Sequence, residues 1–265
     1  MKLITTLILV LSVIFTNCRR EKEKNNNGLG LLLLLAASNR GLTGSQSTAE
    51  VFANNSSVTS EDSAEASSGV SGSSSKAFTY SGTNLGGTLT ISNEVYDCFL
   101  GGTITFNGSN TFIADGTDVY NRTTTLTNGT RTITYDNCVV SSSVTINSGT
   151  LTFTQLAPDS GTTSMKTEVI SGTTSSGTLR RTLTNWKGTL KGSMTVTLTG
   201  RRGTGTGTIE HDHTIVLPSR VRTWTLINGR VFKPVLVSRS GTLTGTTTIN
   251  GTKYTINKTL DVNLD

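Results

Sequence analysis

Tyr254-Thr255-Ile256-Asn257-Lys258-Thr259-Leu260-Asp261-Val262-Asn263-Leu264 places apolar side chains at every second position, Lys258 excepted, and polar ones between them. A side-chain period of two belongs to an extended strand with one buried and one wet face. The same alternation recurs at 88–91, 103–106, 194–198 and 209–217. Asn107-Gly108, Asn128-Gly129, Asn228-Gly229 and Asn250-Gly251 read as tight hairpin turns, because a type I′ turn needs positive φ at both central residues. Turns this short join antiparallel neighbours. Residues 77–265 therefore read as an all-β domain. It is an antiparallel Thr- and Gly-rich meander of about 12 to 16 strands, curled into an open or closed barrel so that few edges stay exposed. A β-solenoid is the alternative, but no constant short period supports it.

The composition agrees. Only 34% of the 265 residues are hydrophobic and 15% are charged, with 28 Gly and 3 Pro. Thr abounds while Glu, Gln, Lys and Met are scarce, which argues against a mainly helical enzyme.

The amino end reads as an address. Lys2 precedes an apolar run from Leu3 to Phe15, and Thr16-Asn17-Cys18 follows before the charged stretch Arg19-Arg20-Glu21-Lys22-Glu23-Lys24. A basic start and an apolar run too short to span a bilayer comfortably describe a secretory signal. These residues resemble a bacterial lipoprotein signal ending at Cys18, with Phe15 and Asn17 forming a relaxed lipobox of the spirochaete type. The resemblance implies cleavage before Cys18, leaving 1–17 as signal peptide, and acylation of the cysteine on its sulfur and its new amino terminus. Residues 18–40, with Asn25-Asn26-Asn27 and the Leu run 31–35, look like the start of leptospiral lipoproteins. The Leu run is too short to cross a membrane. It either lies in the bilayer interface beside the lipid or docks as a short helix on the folded domain. Residues 41–76, rich in Ser, Gly, Ala and Asn without a sustained period, read as a flexible, disordered tether.

With Cys18 given to the lipid, Cys98 and Cys138 remain. They occur in matching contexts, Tyr96-Asp97-Cys98 and Tyr135-Asp136-Asn137-Cys138, in a chain whose expected compartment preserves disulfides. A Cys98–Cys138 bond is expected, two buried thiols being the alternative.

Charge is unevenly distributed. Residues 41–160 hold three basic residues against ten acidic, whereas 178–258 hold thirteen basic residues against Glu210 and Asp212. Arg180, Arg181, Arg201, Arg202, Arg220 and Arg222 make this half a candidate contact for anionic polysaccharide or lipid headgroups, or else a solvated outer face. Nucleic acid fits the sign but not the compartment. His211 and His213 flank Asp212 and share one strand face, a weak candidate for a metal site, with Asp212 pointing away. No Gly-x-Ser-x-Gly elbow, P-loop or dinucleotide fingerprint is present, so neither catalysis nor a cofactor is implied.

The expectation is a non-enzymatic lipoprotein held to the membrane by its lipid, in the cell envelope on the surface or periplasmic face of the outer membrane. Its β domain would bind an external or envelope partner. The alternative is a periplasmic carrier whose half-barrel encloses a lipid or other apolar ligand.

Overall fold

The alternation read in the sequence becomes eleven strands in the computed structural model, which describes residues 44–66, 78–83, 85–98, 100–118, 120–200, 203–228 and 230–263. They are β1 (Phe78–Thr83), β2 (Gly86–Asp97), β3 (Thr103–Ala114), β4 (Arg122–Ser141), β5 (Val144–Leu156) and β6 (Thr163–Gly172). There follow β7 (Ser176–Gly200), β8 (Gly203–Ile227), β9 (Arg230–Ile249), β10 (Thr252–Thr259) and β11 (Val262–Asn263). The fold is all-β, and every pairing is antiparallel. The strands are fewer and longer than expected. β7 and β8 run 25 residues each, against about 5–6 for an ordinary strand.

The sheet follows the path β1-β2-β3-β4-β5-β7-β8-β9-β10, with β11 beside β9. β4 pairs β5 through 130–141 and β6 through 122–126, and both of these strands also pair β7, so that β4, β5, β7 and β6 close a four-strand ring. β5 and β6 thus lie end to end in one lane, and the remaining strands extend from the ring.

Two of the four Asn-Gly pairs turn hairpins. Ile227 faces Arg230 across Asn228-Gly229, and Ile249 faces Thr252 across Asn250-Gly251. The other two lie inside strands. Gly108 has φ +141 within β3, where a Cβ would stand 2.1 Å from the Thr130 carbonyl oxygen, and Gly129 lies within β4. An αL-tolerant dipeptide serves a strand bend as readily as a turn.

Cys98 and Cys138 form the expected disulfide, with Cα atoms 5.4 Å apart. It ties the end of β2 to β4 beside backbone bonds from Leu100 N to Val139 O and from Val139 N to Gly101 O.

The tether expected over 41–76 is corrected at 46–66. Those residues form a helix, α1 (Gln46–Ala66), which rests on the sheet against β7, β8, β9 and β10. Ala49, Phe52, Ala53, Ser56 and Ser57 repeat at i, i+3, i+4, i+7 and i+8 and are all buried. Low overall hydrophobicity hid this stripe, since only Phe52 is large. Ser45 starts the helix, its Oγ accepting from Thr48 N at 3.1 Å. Phe52 joins Leu190, Ile209, Ile215, Leu243 and Ile256 in the main core. Among the described residues no helix is long and apolar enough to cross a membrane. Cys18, the signal, the Leu run, Arg201 and Arg202 lie outside the described residues.

Candidate functional site

The site arises from a change of phase in the two longest strands. Along β8, Ile209, His211, His213, Ile215 and Leu217 face inward at a strict period of two, and then Arg220, Arg222, Trp224 and Leu226 do so. The inward set skips Pro218 and changes parity there. β7 makes the same shift opposite, from Leu179, Arg181 and Leu183 to Trp186, Leu190 and Met194, across Asn185 with φ +51. Thr184 pairs Ser219 and Trp186 pairs Leu217, which leaves Asn185 facing Pro218. Proline offers no N–H to the ladder, and asparagine tolerates the left-handed turn that re-aims the next side chain.

The shift puts Arg181, Arg220 and Arg222 on the inner face, where Arg122 and Arg239 join them in two adjacent rows. Arg122 of β4 pairs Thr167 of β6, Thr167 pairs Arg181 of β7, and Arg181 pairs Arg222 of β8. In the next row Leu183 pairs Arg220, which pairs Arg239 of β9. All five are buried, Arg122 least at 9% exposed and Arg220 most at 1%. Arg181 donates from Nε to Thr167 Oγ1 at 3.4 Å, and its guanidinium carbon lies 4.9 Å from the Trp224 ring centroid. Trp224, Leu179 and Leu226 form a small apolar cluster beside the rows, with Tyr120 and Val169 packed on it. Arg239 donates from Nη2 to Ser57 Oγ at 2.8 Å and from Nη1 to Asn54 Oδ1 at 3.5 Å, which links the inner row to α1.

Of the arginines singled out in the sequence, Arg181, Arg220 and Arg222 come together. Arg180 does not: it points outward, 3.8 Å from Glu168. Three of the six named arginines thus face inward rather than to solvent, and Arg201 and Arg202 lie outside the described residues. Arg122 and Arg239 were not picked from the sequence. Arg122 lies in the acidic half, and its signal is a register that only the folded sheet supplies.

The two histidines also face inward, and Asp212 points away to pair with Lys191 at 3.2 Å. His211 Nδ1 is 3.2 Å from His213 Nε2, His211 Nε2 is 3.2 Å from Ser56 Oγ, and His213 Nε2 is 2.9 Å from Thr247 Oγ1. Among the described residues no third His, Cys, Asp or Glu joins them as a metal-ligating group. Their visible work is to fasten α1 to β8 and β9. Burial pushes His211 down to about 3, with His213 adding to the effect, and pushes His213 down to about 4. Both rings are neutral near pH 7.

Arg131 is buried on the inner face of β4, and burial pushes it down to about 10 against the opposing charge of Glu94. Gly108 is its partner in β3. This pair is remote from the two arginine rows along β4. No protein-family model, curated protein or solved structure matches this chain.

Proposed function

We propose that the protein is a non-enzymatic binding module of the cell envelope, lipid-anchored through Cys18, which takes an extended anionic chain along its inward arginine rows. One observation carries the reading: Arg122, Arg181, Arg222, Arg220 and Arg239 share the inner face of four strands in two adjacent rows. Five guanidinium groups on one face give it a positive field that favours anionic groups. Guanidinium forks match sulfate and phosphate oxygens geometrically.

Labelled dextran sulfate is the first probe. Binding should weaken about tenfold or more in Arg181→Gln/Arg222→Gln, and should weaken with salt less steeply in that variant. Equal affinity in the variant, or binding to anionic phospholipid vesicles in its place, would remove the reading. The apolar-carrier alternative has less support, because Phe52, Ala49 and Ala53 of α1 already pack into the main core beside β7, β8, β9 and β10. The anchor is tested separately. Incorporation of labelled palmitate into the wild type and its loss in Cys18→Ala are expected, and equal labelling of both would contradict acylation at Cys18.

A further inference from the structure

The inward face of β8 gathers more than a clasp for α1. His211 and His213 occupy alternate positions on that face, and Thr247 of β9 is the cross-strand partner of His211. Three buried polar atoms converge there. His211 Nδ1 is 3.2 Å from His213 Nε2, His213 Nε2 is 2.9 Å from Thr247 Oγ1, and Thr247 Oγ1 is 3.4 Å from His211 Nδ1. We propose that these three atoms are the protein ligands of a tetrahedral site for a divalent transition-metal ion of the zinc type.

The separations carry the proposal. Nitrogen and oxygen ligands about 2.0–2.1 Å from a tetrahedral zinc stand roughly 3.3 Å from one another. The three distances bracket that edge, and a triangle with nearly equal sides of this length has a point within coordination reach of all its corners. The surroundings of His211 agree. A metal-binding histidine ordinarily donates its second ring nitrogen to a neighbour that fixes the ring, and His211 Nε2 has such a neighbour in Ser56 Oγ at 3.2 Å. With the proton on Nε2, the Nδ1 lone pair faces His213 and Thr247.

The donor set chooses the ion. Two imidazoles and a hydroxyl suit zinc, copper or nickel, whereas magnesium and calcium ask for carboxylate and carbonyl oxygens. The carboxylate between the two histidines, Asp212, faces outward to Lys191. Water supplies the fourth corner, as in zinc sites with three protein ligands, and loss of its proton on the ion lowers the charge brought into the core. The third protein donor is a hydroxyl rather than a carboxylate, thiolate or imidazole, so the ligand set has no signature in the sequence. Bound here, the ion cross-links β8 to β9 and, through Ser56, to α1, and its binding adds to the stability of the fold.

Thermal melts of the untagged full chain, stripped by a chelator and then given saturating Zn²⁺ or Mg²⁺, test the site. An ion that binds only the folded state raises Tm even where entry to the site is slow. The expected result is a rise of about 5 °C with Zn²⁺, none with Mg²⁺, and none with Zn²⁺ in His211→Gln/His213→Gln. No rise in the wild type, or an equal rise in the double variant, would overturn the proposal. Because loss of both rings also loosens α1, Thr247→Val gives an independent check: it removes the hydroxyl and keeps both imidazoles. Its zinc affinity, read by competition with a coloured chelator, should fall about tenfold, and unchanged affinity would contradict the three-atom site. Co²⁺ reads the geometry. Bound to the wild type it should show the intense visible bands of a tetrahedral ion, and the weak bands of an octahedral one would contradict the assignment.

Discussion

The two halves of β8 are built by one rule and serve different ends. From Ile209 to Leu217 the inward face is apolar but for His211 and His213, and α1 covers it. From Arg220 to Leu226 the same strand, flanked by the same neighbour β7, turns arginines and one tryptophan inward. The divide is Pro218 opposite Asn185. Alternation alone does not say what a face is for: the first half packs an apolar core, and the second gathers positive charge.

That contrast can be broken at several points. The largest expected effect is remote from both halves and calibrates the rest: Cys98→Ala/Cys138→Ala should cost about 4 kcal/mol of stability, since the bond closes a loop of some 40 residues in the unfolded chain. Denaturant melts check it, and the arginine half should keep its ligand affinity at low denaturant. Next, Phe52→Ala in α1 should cost about 3 kcal/mol or more, as for other buried phenylalanines. A loss near zero would show that α1 contributes little to the core of the first half.

The histidines sharpen the comparison through pH. Both have folded values, about 3 and about 4, below the ordinary 6.5, so the unfolded chain binds more protons than the folded one as pH falls below 6.5. Their contribution is fully present above pH 6.5 and is lost as pH falls through about 4 for His213 and about 3 for His211. The slope approaches about 1.4 kcal/mol per pH unit for each histidine. His211→Gln/His213→Gln should flatten the stability profile between pH 6 and 4, and an unchanged profile would show that the acid sensitivity lies elsewhere. The smallest effect falls on the divide itself: Asn185→Val should cost about 1–2 kcal/mol for placing a β-branched residue at positive φ, whereas Asn185→Gly should be nearly neutral. Thermal melts of the two variants separate these outcomes.

Much of the fold was legible in the sequence because strand alternation is local. Tyr254, Ile256 and Leu260 share a face, as their spacing requires, and Asn228-Gly229 and Asn250-Gly251 turn hairpins. Asn107-Gly108 fails as a turn because β3 continues through it, and nothing local distinguishes a bend from a reversal. α1 escaped because a stripe of Ala and Ser with a single Phe has little hydrophobic contrast. The arginine rows escaped for a subtler reason. Extending the phase of Ile209 and Leu217 through Pro218 puts Arg220 and Arg222 outside, and extending the phase of Leu190 and Met194 backward through Asn185 puts Arg181 outside and Arg180 inside. The two phase shifts invert both assignments.

Adjacent residues therefore give the most direct test. Arg180 points to solvent and Arg181 into the rows, with the same charge and the same strand. Dextran sulfate affinity should fall about tenfold in Arg181→Gln and stay within about twofold of wild type in Arg180→Gln, both measured at one salt concentration. Equal losses in the two variants, or a larger loss at Arg180, would place binding on the outer face and contradict the inward rows as the site.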